Sequence, residues 1–232
     1  DLALGGDAGI DLDGTVDVQT TSGSLYIEDD FEAAGDLLAN ENVTIGPGDT
    51  WVSGTLNGPT LQKIQARNGY LRINSNPWLS PWPNLNKTAT GDLQMLAGRE
   101  ISAKSHVTVQ EGKLEMTAND GINIWGDLHS SGDITLAANN DATAPWNILG
   151  VSGNIKSTGG TVALTANGYG VYLYTGPTSG RNVEADKDIL LNDDTTITYN
   201  GAKLDAGDDV RAMGTITGAG DLTIEAGVIE PG

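Results

Sequence analysis

Apolar and polar residues alternate along this chain in short runs, and the runs recur about once every twenty residues. The clearest are "GDLQMLAG" at 91–98, "GKLEMTAN" at 112–119, "GDITLAAN" at 132–139, "GTVALTAN" at 160–167 and "GDLTIEAG" at 220–227. Each reads Gly, any residue, an aliphatic, any residue, an aliphatic or Met, any residue, Ala, then Asn or Gly. Alternation with a period of two, bounded by turn residues, predicts a half-buried strand. Repetition at this spacing predicts one supersecondary unit stacked many times, which is a solenoid.

The middle inward residue of each run serves as an anchor. The anchors are Leu4, Ile27, Val52, Ile73, Met95, Met116, Leu136, Leu164, Val183, Leu204 and Ile224, spaced 19 to 28 residues apart. They predict about eleven rungs of roughly 20–22 residues and a rod about 50 Å long. Between Met116 and the next anchor, "GINIW" supplies Ile122 and Ile124, and "GDLHS" supplies Leu128, as further inward positions. Leu2/Leu4, Ile10/Leu12 and Val16/Val18 give a similar triplet at the start. Three short strands per rung describe a right-handed parallel β-helix, an all-β fold. Residues 95–139 also align without gaps on 183–227, an offset of 88 that reads most simply as four rungs of 22. Helix signals are nearly absent; even "LQKIQARNGYL" at 61–71 reads better as strand.

The expected organisation is a single domain over residues 1–232 with three insertions. "NSNPWLSPWPNLNK" at 74–87 contains Pro77, Pro81 and Pro83 and should leave the coil, because proline cannot donate to a ladder. "NNDATAPWN" at 139–147 and "YTGPTSGRN" at 174–182 are the other two. Inserted loops are where recognition residues tend to sit.

Composition changes the picture mainly by exclusion. Thirty-one acidic against twelve basic residues give a formal net charge of −19. That field repels nucleic acid and anionic membranes. There is no cysteine and only two histidines, His106 and His129, which removes disulfides and the usual zinc sites. No run approaches the ~20 apolar residues of a membrane helix, so no direct membrane insertion is expected. The chain begins at Asp1, and neither end carries a helical or polar cap, so the rungs are expected to continue into further chain or a stacked copy.

The strands "GDLQMLA", "GDITLAA" and "GDLTIEA" resemble the haemagglutinin-type repeats of bacterial filamentous haemagglutinins and other secreted or autotransported adhesins. The resemblance covers nearly the whole chain, and it implies an extracellular, cell-surface β-helix. The secretion domains of that family carry short Asn-Pro-Asn motifs. Here only "WPNLN", Trp82 to Asn86, comes near, with Trp where Asn is expected. The likeness is therefore to an interior stretch of shaft.

Candidate contact residues are aromatic. Trp78 and Trp82 fall in the proline-rich segment and Trp146 in the second insertion. Tyr172 and Tyr174 alternate with Val171 and Leu173, so they should face outward side by side. Flat rings suit stacking on sugars or anchoring a protein partner, although a loop tryptophan can equally fold back as a lid. Calcium is the one cofactor that neighbouring turn carboxylates would suit, through Asp7, Asp11 and Asp13 or Asp193 and Asp194. Tandem calcium-roll repeats and a DxDxDG loop are both missing, and solvated turns account for the same residues. Asp127, Asp133 and Arg99 could be named for a polysaccharide lyase or hydrolase, but no motif singles them out. Thr runs at 195–198 and 215–217 do not persist from rung to rung.

The expectation is a non-enzymatic structural or adhesive segment: a rigid shaft that stacks on further rungs or on copies of itself, end to end. Its partners would be those copies, or glycans and proteins of a host or environment. A carbohydrate-active β-helix is the alternative.

Overall fold

The computed structural model describes residues 2–4, 10–11, 18–27, 31–32, 37–39, 43–45, 56–57, 62–73, 84–87, 90–138, 148–166, 170–174, 182–198 and 201–227. Its described secondary structure is all strand, in three parallel sheets of ten, ten and nine strands. The chain visits the sheets in strict rotation. Face A begins with Leu2–Leu4, face B with Ile10–Asp11 and face C with Val18–Gln19, and each later triplet pairs in register with the one before it. The fold is a right-handed parallel β-helix.

Alternation fixes which side of each strand is buried. Leu93, Met95 and Ala97 point inward from Leu93–Ala97, and all are buried. They lie in register under Leu114, Met116 and Ala118, which lie under Ile134, Leu136 and Ala138. Face A stacks Ile101, Ile122, Leu149 and Val171 in the same way. Burying each such side chain contributes about 1.5–3 kcal/mol. Among the described residues no aromatic side chain is buried, and the core consists of ladders of aliphatic side chains and Met.

The Gly and Asp that open the signature have separate tasks at the corners. Gly112 sits so close to the previous coil that a Cβ would overlap the carbonyl oxygen of Gly91. In turn its own carbonyl accepts the N–H of Gly132 at 2.7 Å. Asp clamps one coil to the next: Asp92 Oδ1 accepts the N–H of Lys113 (2.9 Å) and Asp133 Oδ1 that of Thr161 (3.0 Å). Asp127 does this for Asn154 at the head of face B, and Asp194 for Thr215 at the head of face A. In every case donor and acceptor each immediately precede a strand, one coil apart. Charge-assisted bonds of this kind are stronger than neutral ones.

The described strands make ten coils, the last without a face C strand, against about eleven expected. The anchors behind that expectation do not share a face. Leu4, Ile27 and Ile73 lie on face A, Met95 to Leu164 on face C, and Val183, Leu204 and Ile224 on face B; Val52 lies outside the described residues. The offset of 88 therefore is not four rungs. It carries strand Leu93–Ala97 to Asn182–Ala185, eleven strands on, which is three and two-thirds turns. The signature encodes a five-residue strand and its corner, and any side of the triangle can use it. Coil length also varies, from 18 residues between Leu25 and Val43 to 31 between Ile64 and Met95. One insertion is shorter than expected: Asn84–Lys87 is a strand, paired with Leu56–Asn57 and with His106–Val109. It follows the last proline and offers a full set of ladder donors.

Candidate functional site

Face A presents a column of outward positions, one per coil. Arg72, Ser102, Asn123, Gly150, Tyr172, Thr196 and Thr217 follow one another in direct register. Tyr172 and Tyr174 stand outward between the buried Val171 and Leu173, as their alternation requires. Their rings lie nearly parallel, 14° apart, with centroids 6.0 Å from each other. Glycine at 150 makes room for this arrangement, since a Cβ there would lie 2.8 Å from Cε2 of Tyr174 and 2.9 Å from Oδ1 of Asn123. Burial, then the neighbouring Tyr172, pushes the Tyr174 phenol above its ordinary value. It therefore stays protonated and able to donate.

Beside this pair opens a cleft of about 670 Å³. Gly170 and Tyr172 line it with Thr196, Thr215 and Thr217, and with Asn192, Asp193 and Asp194 from the corner that leads into face A. Met213 hangs at the rim, 81% exposed. The two Thr runs thus meet, Thr196 against Thr217, but the column continues into Tyr172 instead of a flat threonine array. Backbone amides fix both carboxylates. Asp193 Oδ2 accepts the N–H of Ala166 (2.6 Å) and Asp194 Oδ1 that of Thr215 (2.7 Å).

Sequence reasoning missed a second aromatic zone lower on the same face. Guanidiniums of Arg72 and Arg99 lie 4.5 and 4.6 Å from the centre of the Tyr70 ring. Two coils farther along, the Lys104 ammonium sits 5.3 Å from the centre of the Trp125 ring. The signal was available in the charge distribution. Residues 1–62 hold twelve acidic side chains and no Lys or Arg, whereas 63–113 hold seven of the twelve basic residues and three acidic ones. Because the coil turns sequence position into axial position, this stretch forms a basic belt on an acidic rod.

Trp78, Trp82 and Trp146 lie outside the described residues, as do Asp7 and Asp13; Asp11 is described only as backbone of Ile10–Asp11. Asp193 and Asp194 are brought together, but as clamps. No group of three or more His, Asp or Glu able to hold an ion occurs among the described residues. The residues considered for polysaccharide chemistry are dispersed and engaged. Arg99 pairs with Asp120 at 3.2 Å and Asp133 with Lys113 at 2.7 Å, while Asp127 accepts from the Asn154 amide at 2.7 Å. His106 takes the place of a clamp aspartate, its Nδ1 accepting the N–H of Asp127 at 3.1 Å. The bond from Lys113, then that from the Thr161 amide, holds the Asp133 carboxyl below its ordinary value.

Comparison with known proteins adds no relative: no protein-family model, curated protein or solved structure matches this chain.

Proposed function

We propose that this chain is a rigid, non-enzymatic shaft segment of a secreted bacterial surface protein, adhesive through its outward faces and extended by end-to-end stacking. The observation that carries this reading is the continuity of its three sheets, two running in register through the ten described coils and the third through nine, over one aliphatic core. Such a body transmits force and holds its outer columns at fixed spacing. The carboxylates that could serve chemistry are instead engaged with backbone amides and cations. The resemblance of the strands to haemagglutinin-type repeats supports the extracellular setting.

Stacking is supported by the last coil. Ile216–Gly218 and Leu222–Ala226 each end their sheet among the described residues, and Ile224, in register on the buried Leu204, is 49% exposed. A strand that ends a sheet offers its ladder groups to a further coil, whether of the same chain or of a copy. Electron microscopy and sedimentation over a wide concentration range test this, with Ile224→Asp as the blocking variant. Concentration-dependent filaments that the variant abolishes are expected; monodisperse monomer at high concentration removes the stacking half. Incubation with polysaccharides and a reducing-sugar assay tests the other half. Sugar release lost on changing one carboxylate pair would replace the shaft by an enzyme.

A further inference from the structure

We propose that the cleft beside Tyr172 is a glycan subsite selective for sugars without acidic groups, and that it prefers amino sugars to neutral ones. The proposal rests on the adhesive reading above and names its ligand class. Three features of the cleft converge on it. Its volume of about 670 Å³ falls within the range of small-ligand sites and suits a few pyranose rings. One side is the Tyr172 ring, which offers a flat apolar surface to the C–H face of a sugar. Apart from Met213 and two glycines, the remaining lining is hydroxyl, amide and carboxylate, from Thr196, Thr215, Thr217, Asn192, Asp193 and Asp194. These are the donors and acceptors that sugar hydroxyls require.

The sign of the charge supplies the selectivity. Asp193 and Asp194 line the cleft, and among the described residues no Lys or Arg lines it and neither carboxylate pairs with a cation. Each is pinned by a backbone amide through one oxygen. Their position therefore needs no reorganisation when a ligand arrives. A uronate or sulfate entering here meets two fixed negative charges on a chain of net charge −19. An ammonium at the same place meets two acceptors and the edge of an aromatic site. Tyr174 stacks behind Tyr172 and holds the platform upright.

Calorimetric titration of the whole chain with three tetrasaccharides tests the inference: a glucosamine tetramer, its fully N-acetylated counterpart and a galacturonate tetramer. The expected order is amino tighter than N-acetylated by about tenfold, with no uptake of the acidic probe up to millimolar concentration. Tyr172→Ala weakens the first two by about tenfold or more, whereas Tyr172→Phe retains them. Asp193→Asn with Asp194→Asn keeps an oxygen acceptor for each backbone amide and removes the charge. It should abolish the preference for the amino probe and leave N-acetylated binding in place. Equal or tighter binding of the galacturonate, unchanged binding by Tyr172→Ala, or silence with all three probes would overturn the proposal. The filament and sugar-release experiments would then still judge the shaft reading separately.

Discussion

Two aromatic zones share face A, Tyr70 lying four coils and Trp125 two coils from Tyr172, and they differ in what covers the rings. At Tyr70 and Trp125 the chain supplies its own cations, with Arg72, Arg99 and Lys104 lying over the rings. At Tyr172 and Tyr174 the rings meet only each other in ring contacts among the described residues, and a cleft opens beside them. An outward aromatic on a β-helix is thus not by itself a binding platform. The first zone is satisfied internally and braces adjacent coils. The second keeps an aromatic side facing a polar space.

The most direct way to break this contrast is to cover the second zone as the first is covered. Thr196 is the register partner of Tyr172 on the neighbouring strand. Thr196→Arg would lay a guanidinium toward the Tyr172 ring and neutralise the corner carboxylates. Glycan affinity at the cleft should fall at least about tenfold, with the unfolding midpoint in urea unchanged or slightly raised. Retained affinity together with a lowered midpoint would mean that Tyr172 is a structural residue like Tyr70.

The reverse experiment strips the first zone. Arg72→Ala with Arg99→Ala removes two ring–cation contacts, worth about 0.5–1 kcal/mol each at exposed sites, and the pair of Arg99 with Asp120. A loss of about 1–2.5 kcal/mol by urea denaturation is expected, with no change at the cleft. Gly150 lies between the zones, and Gly150→Ala would push the Tyr174 ring off its seat. A smaller loss of about 1 kcal/mol, a changed near-ultraviolet circular dichroism signal and a few-fold weaker binding should follow.

How much of this the sequence showed depends on whether the signal was local. Strand period, corner glycines and outward Tyr172 and Tyr174 were legible because alternation decides them within five residues. Which sheet a strand joins was not, because the corners differ in length and every side of the triangle accepts the same five-residue pattern. Met95 and Val183 look equivalent in sequence yet belong to different sheets. The acidic turns were legible as turns but not as clamps, because each Asp meets its amide 21 or more residues away. Tyr70 escaped notice for the same reason: Arg99 reaches it from the next coil.

The weakest effect contrasts the basic belt with the corner of the cleft by acid. Each has an aspartate clamp, but Asp133, at the head of a face C strand, also holds Lys113 of the belt, whereas Asp194 clamps Thr215 and pairs with no cation among the described residues. Bonding from Lys113 and the Thr161 amide depresses the Asp133 pKa on folding. A carboxyl depressed in this way contributes stability above its unfolded pKa of about 4 and loses it as pH falls through the lower folded value. Urea midpoints measured from pH 6 down to pH 2 should therefore drop for the native chain. Asp133→Asn should lower the midpoint at pH 6 and flatten that drop, because its side chain still accepts from Thr161 but no longer titrates. The pair is substantially exposed, so the change should be small and should shrink further in 0.5 M salt as screening shortens to a few ångströms. A full acid drop surviving in Asp133→Asn would move the acid sensitivity to the other clamps and leave the basic belt without this role.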